Sequence, residues 1–230
     1  MENASQLGVN HIDRIVEVVE ETLKGNKVTL LGKTNKRGET AALPSLDLPK
    51  VRKNKFVEII PVNTGCLGSC SYCKTKYARG TLNSYTTEAI LKRIESVCGE
   101  DDSKIQEIWL TSEDLGAYGL DIGTNIAKLL VEITLLLECR FPNVMLRLGM
   151  TNPPYILEHV SEICRILNHP NVFSFLHIPV QSGSDNTLRH MIREYTVQDF
   201  ETVVDRLKLE VEDVLIATDV ICGFPTGELI

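Results

Sequence analysis

The chain has 230 residues, 43% of them hydrophobic, and 24 Lys and Arg against 31 Asp and Glu give a formal net charge of -7. That length can bury one large core or two small ones, and the acidic balance excludes a surface that binds nucleic acid indiscriminately. The longest apolar run, "IAKLLVEITLLLECRF", is interrupted by Lys128, Glu132 and Glu138 and repeats at helical spacing, so no transmembrane segment is expected.

From the N-terminus, no basic region precedes an apolar one, which points to a soluble, cytoplasmic protein in a reducing compartment. Ile12, Ile15, Val16, Val19 and Leu23 fall on one face of a helix expected over 10–24, ended by Gly25. A short strand, "KVTLL", follows, and "GKTNKRGETAALPSLDLPKVRKN" then reads as a linker, rich in turn formers and without apolar period. A domain boundary is expected near residue 52, separating 1–51 from 52–230.

Beyond that boundary strands and amphipathic helices alternate. Strands are expected at "FVEIIPV", "IQEIWL", "VMLRLG", "VFSFLHI" and "VLIATDVI", with helices over 87–98, 125–138, 156–167 and 198–209. Such a series predicts an α/β fold with a parallel sheet covered by crossover helices. Periodicity does not decide between an open sheet and a barrel. In either, ligands sit at the carboxyl ends of the strands, which carry the cysteine segment, "TSED", "TNPP", "PVQSGSD" and "GFPTGE".

Seven cysteines, an odd number, cannot pair completely, and a reducing compartment argues against disulfide partners altogether. Cys66, Cys70 and Cys73 crowd into "NTGCLGSCSYCKTKYARG" after the first strand of the series. A structural zinc site wants four ligands and a second Cys or His pair, and His177 and His190 stand isolated. Cys98 and Cys164 fall on apolar helix faces and read as small buried hydrophobes, while Cys139 and Cys222 stand alone. Three thiolates without a fourth suit a [4Fe-4S] cluster, whose uncovered iron is free to bind a substrate. Gly65 and Gly68 permit a tight wrap around it. Two basic patches lie nearby, Lys50, Arg52, Lys53 and Lys55, then Lys74, Lys76 and Arg79; each is a solvated face or a phosphate contact.

"CLGSCSYC", with Tyr72 ahead of the last cysteine, resembles the radical S-adenosylmethionine superfamily. Together with "EIWLTSEDLGAYGLDIGTN", "LRLGMTNPPYILEH", "FLHIPVQSGSD" and "IATDVICGFP", the chain is similar to the tRNA methylthiotransferases. The resemblance is to the eukaryotic and archaeal branch that converts N6-threonylcarbamoyladenosine at position 37 of tRNA to its 2-methylthio derivative. It implies a partial (β/α)6 barrel, Cys66, Cys70 and Cys73 as cluster ligands, S-adenosylmethionine as cofactor, and tRNA and an electron donor as partners. The open iron would chelate the amino and carboxylate groups of S-adenosylmethionine, and a cluster electron would release a 5'-deoxyadenosyl radical. It further implies Tyr72 near the adenine, Ser112 and Glu113 at the amino group, Arg147 at the carboxylate, Gln181 and Ser182 at the ribose and Gly223 at the adenine pocket. On the residues alone, Tyr72 and Glu113 are equally a packed and a solvated loop side chain, Arg147 a solvated one, and Ser184 or Asp185 a cap for a helix beginning at Asn186.

The sequence also departs from that pattern. "GFPTGELI" carries an extra Thr226, and no cysteine precedes Cys66 to hold the second cluster of those enzymes. Residues 1–51 resemble the end of their N-terminal domain. The expectation is therefore a barrel cut after about five strands, without the last strand or the RNA-binding TRAM domain, and inactive by itself; the alternative is a non-catalytic metal-binding or interaction fragment. Full-length eukaryotic relatives can be tethered to the endoplasmic reticulum by a tail.

Overall fold

A computed structural model describes residues 4–31, 43–100 and 103–225, and the chain divides into two units, Met1–Val51 and Arg52–Ile230. In the first unit, β1 (Gln6–Leu7) pairs in parallel with β2 (Thr29–Leu30), and α1 (Ile15–Leu23) lies between them in sequence. The helix expected over 10–24 is split. Val9–Arg14 form a 3-10 turn with no side-chain cap, and His11 leaves helical geometry at φ -122°. Val18 is buried, whereas Ile12, Ile15, Val16, Val19 and Leu23 stay exposed. Much of the expected linker, and Thr226, lie outside the described residues.

The second unit begins with β3 (Val57–Pro61), which runs almost directly into β4 (Asn63–Thr64). The chain then makes an excursion containing α2 (Thr75–Arg79) and returns through β5 (Asn83–Ser84), antiparallel to β4. Next come α3 (Thr87–Gly99), β6 (Glu107–Thr111), α4 (Ile126–Arg140) and β7 (Met145–Arg147). The helix expected over 156–167 is interrupted at Glu158 and His159, giving α5 (Pro153–Leu157) and α6 (Val160–Leu167). β8 (Phe175–His177), α7 (Asp185–His190), α8 (Val197–Glu210) and β9 (Leu215–Ala217) complete the series. Side-chain caps set the helix starts: Thr86, Asn125 and Ser184 each accept a backbone N–H, and Thr196 with Asp199 forms a reciprocal capping box.

β3, β6 and β7 pair in parallel, and so do β8 and β9. A bridge between Leu146 and Val172 joins the two pieces, with Thr151 N–H donating to His177 O at 3.0 Å. Spatial order thus follows chain order. Right-handed crossovers between successive neighbours put α3, α4, α6 and α8 on one side of the sheet, each in contact with the next, the arrangement of a partial barrel. Among the described residues the sheet is not closed.

Alternate residues consequently meet different surroundings. Ile60, Ile108, Leu110, Leu146, Leu148, Leu176 and Ile178 face the helices and are buried. So is Glu58, in the same layer, held by Arg93 of α3 at 2.8 Å and by Arg52. The opposite face carries Ile59, Trp109, Arg147, Phe175, His177 and Leu215, and Ile59 and Leu215 are 49% and 65% exposed. Among the described residues no helix is long and apolar enough to cross a membrane.

Candidate functional site

The cysteine loop is closed at its base before any cofactor is considered. β4 pairs with β5, and the Ser84 backbone N–H and Oγ both donate to Asp121, at 2.8 and 2.6 Å. Gly65 turns the chain at φ +74°, and a Cβ there would lie 2.1 Å from Thr81 O, so no other residue fits. Lys76 Nζ donates to Leu67 O at 2.8 Å and to Ser69 Oγ at 3.3 Å, tying α2 back across the loop. Of the second basic patch, Lys76 is thus spent on the loop, and Arg79 pairs with Glu113 at 3.6 Å. In the first patch, Arg52 is the partner of Glu58.

Inside this frame Cys66 and Cys70 line a cleft of about 310 Å³ that opens to solvent. The Cβ position of Gly68 lies 3.7 Å from both of their sulfurs, at ordinary van der Waals distance, so Gly68 sits against both thiols. Burial pushes the Cys66 thiol pKa up. Cys73 is exposed at the edge of the loop, its sulfur 3.1 Å from Thr75 Oγ1. Two soft sulfur donors thus line a space at the carboxyl end of β3, with the third at the edge of the same loop. Among the described residues no trio of His, Cys, Asp or Glu gathers as one small ion requires. The donor set, three thiols in one loop without a fourth ligand, fits a cluster of iron and sulfide better than a single zinc ion.

The far wall of the cleft comes from residues that sequence reasoning did not single out. Asp114, after β6, is 2% exposed and accepts from Asn152 Nδ2 at 2.6 Å and from the backbone N–H groups of Gly116 and Asn152, each at 3.2 Å. Burial outweighs these bonds and pushes its pKa up to about 6. Asn152, after β7, accepts in turn from Arg193 Nη2. Arg193 Nη1 lies 2.9 Å from Cys70 Sγ and 3.4 Å from Tyr72 Oη, and its guanidinium stands over the Tyr195 ring at 5.0 Å. Ser71 anchors the two segments together, its N–H donating to Met191 O at 3.0 Å and its Oγ to His190 O at 2.9 Å. Tyr155 Oη lies 3.2 Å from Glu194 Oε2 at the rim. The loops "TSED" and "TNPP" signalled Asp114 and Asn152 by position only. Nothing in "MIREYT" marked Arg193.

The other expected site residues spread around the same rim and inner face. Tyr72 is half-buried beside Arg193, and burial pushes its phenol up to about 12. Ser112 Oγ is buried without a hydrogen-bond partner. Arg147 stacks between Trp109 and Phe175, 4.7 and 4.5 Å from their ring centres. Gln181 takes a left-handed φ of +64°, its N–H donating to Asp219 O and its carbonyl accepting from Ile221 N–H, both at 2.8 Å. Ser182 Oγ accepts from Ser184 N–H at 3.2 Å, and Ser184 itself caps α7, which begins at Asp185. Gly223 has φ +69° and open space where a Cβ would sit. His177, expected to stand isolated, pairs with Asp219 at 2.8 Å on the inner face. Of the expected ligands and contacts, Cys66 and Cys70 line the cleft itself.

Residues 60–228 match the Radical SAM superfamily. Over 225 residues, 98% of this chain, it is 56% identical to the Homo sapiens protein named threonylcarbamoyladenosine tRNA methylthiotransferase. A protein of the same name from Caenorhabditis elegans is 50% identical across the whole chain, and a probable one from Pyrococcus abyssi is 41% identical over 95% of it. The chain spans 38% of the human relative, 51% of the nematode one and 49% of the archaeal one. Among solved structures, the radical S-adenosylmethionine methyltransferase TsrM from Kitasatospora setae superposes with a TM-score of 0.66 at 16% identity, covering 96% of this chain and 46% of that one. The cobalamin-dependent radical enzyme OxsB gives 0.62 at 14%, covering 90% and 32%. These two share the fold.

Proposed function

The chain belongs to the radical S-adenosylmethionine superfamily, and from that premise we propose that it is the core of a tRNA methylthiotransferase acting on N6-threonylcarbamoyladenosine. The observation that carries this reading is the cysteine cleft in a chain 56% identical to enzymes of that name. Cys66, Cys70 and Cys73 would hold a [4Fe-4S] cluster. When bound, that group supplies an electron and an open coordination position for cleavage of the sulfonium of S-adenosylmethionine.

The chain's own residues then bind and orient. Gly68 sits against two ligating sulfurs, and Tyr72 stands beside Arg193 at the same cleft. The orphan hydroxyl of Ser112 and the carboxylate of Glu113 suit the cofactor's amino group, Glu113 sharing its charge with Arg79. Gln181, Ser182 and Gly223 supply backbone and hydroxyl contacts for the nucleoside, Gly223 through its open Cβ side. Arg147, held flat between two rings, presents a cation on the inner face toward a carboxylate. The exposed rim beyond these groups is where a tRNA base would enter. An electron donor, and a second cluster in a longer protein of which residues 1–51 would be the end of an N-terminal domain, complete the reading. A reducing cytoplasm suits the free thiols.

Nucleoside mass spectrometry on tRNA from cells lacking the gene tests the substrate. Loss of the 2-methylthio derivative, with its threonylcarbamoyladenosine precursor accumulating, is expected, and an unchanged level of the derivative contradicts it.

A further inference from the structure

Arg193 stands 123 positions beyond Cys70 in the chain, yet its Nη1 is 2.9 Å from the Cys70 sulfur. The constraints on it come from two other loops and from its own segment. Asn152, after β7, accepts from its Nη2, and Asp114, after β6, fixes Asn152 at 2.6 Å. Tyr195 backs the guanidinium plane at 5.0 Å. The preceding residue, Ile192, has φ +55°, a left-handed conformation that β-branched side chains rarely adopt. Backbone strain, a two-residue relay and an aromatic floor all converge on placing one cation against one sulfur. Arg193 Nε is buried without a hydrogen-bond partner, so the bonds that hold the guanidinium are made through Nη1 and Nη2.

Resting on the cluster reading above, we propose that Arg193 is a positioning residue whose guanidinium donates a hydrogen bond to the Cys70 sulfur and raises the reduction potential of the cluster bound there. A cluster on three thiolates is anionic, and adding an electron makes it more so. A charge-assisted donor on a ligating sulfur stabilises the reduced form more than the oxidised one. The fork geometry matters as well as the charge, since Nη1 serves the sulfur while Nη2 is held by Asn152.

The test uses this chain reconstituted with iron and sulfide under anaerobic conditions. Protein grown with guanidinium-15N-arginine is reduced with dithionite, and pulsed electron paramagnetic resonance is expected to show a weakly coupled 15N nucleus at the cluster. In Arg193→Gln, that coupling disappears. Potentiometric titration of the variant reads a reduction equilibrium about tenfold less favourable, ~59 mV for a one-electron couple. Absence of 15N coupling in cluster-bearing wild-type protein would overturn the proposal, and so would an unchanged potential in a variant that retains its cluster. If the variant loses the cluster, the labelled wild-type protein still decides. Wild-type protein that takes up no iron and sulfide would refute the cluster reading itself, a result distinct from either.

Discussion

The two faces of the one sheet carry opposite chemistry on alternate residues of the same strands. Toward the helices, Ile60, Ile108, Leu146 and Leu176 are fully buried, and the charge among them, Glu58, is clasped by two arginines. Toward the inside, Ile59 and Leu215 are 49% and 65% exposed, Arg147 lies flat on aromatic rings, and His177 meets Asp219. The outer face makes the fold stand. The inner face and its rim are left open to hold other molecules, and the cost of that exposure is carried by the helix side. A change of one residue along a strand therefore exchanges a stability effect for a functional one.

Four experiments sharpen or break this division. The largest effect belongs to the rim: replacing Cys66, Cys70 and Cys73 together by Ala abolishes bound iron after reconstitution. The metal-free protein unfolds within about 0.5 kcal/mol of wild type, because no sulfur of the three is part of the core. A stability loss of several kcal/mol in metal-free protein would break the division. Second, Glu58→Ala leaves Arg93 and Arg52 without their carboxylate in the helix-facing layer, and urea unfolding registers a loss of about 3 to 5 kcal/mol. Third, Leu146→Ala costs about 3 kcal/mol by emptying a packed site, whereas Ile59→Thr on the inner face costs under about 1 kcal/mol. Equal costs would show that the inner face is packed after all.

The fourth concerns pH. The folded chain raises the Asp114 carboxyl to about 6 from an ordinary 3.8, so it binds its proton more tightly than the unfolded chain does. Its contribution to stability is complete below about pH 4 and is lost as pH rises through about 6, a fall of up to about 3 kcal/mol. Asp114→Asn removes that slope while lowering stability throughout, because the amide cannot accept all the donors Asp114 now satisfies. The wild-type minus variant difference, measured by denaturant unfolding of metal-free protein between pH 4 and pH 7, reads it directly.

The alternation of strands and helices was plain in the sequence because buried parallel strands and amphipathic helices each impose a period. Barrel-like curvature was not, since it depends on spatial strand order, and only pairing shows β3, β6, β7, β8 and β9 following one another. The break between α5 and α6 was hidden by an apolar spacing that runs through His159. The cysteine triplet announced itself by local crowding. Arg193, Asn152 and Asp114 did not, because their significance comes from loops of separate crossovers meeting at one rim, and no local pattern encodes that meeting. Likewise, the sequence left Lys76 and Arg79 as a solvated face or a phosphate contact, and the folded loop gives one a carbonyl and the other a carboxylate.

The account turns on three thiols gripping an iron–sulfur cube with one corner uncovered. Anaerobic reconstitution followed by metal and acid-labile sulfide analysis addresses it most directly. The predicted result is about four irons and four sulfides per chain, with a paramagnetic signal after dithionite that changes when S-adenosylmethionine is added. One equivalent of zinc with no sulfide, or protein that stays colourless and silent, would contradict it.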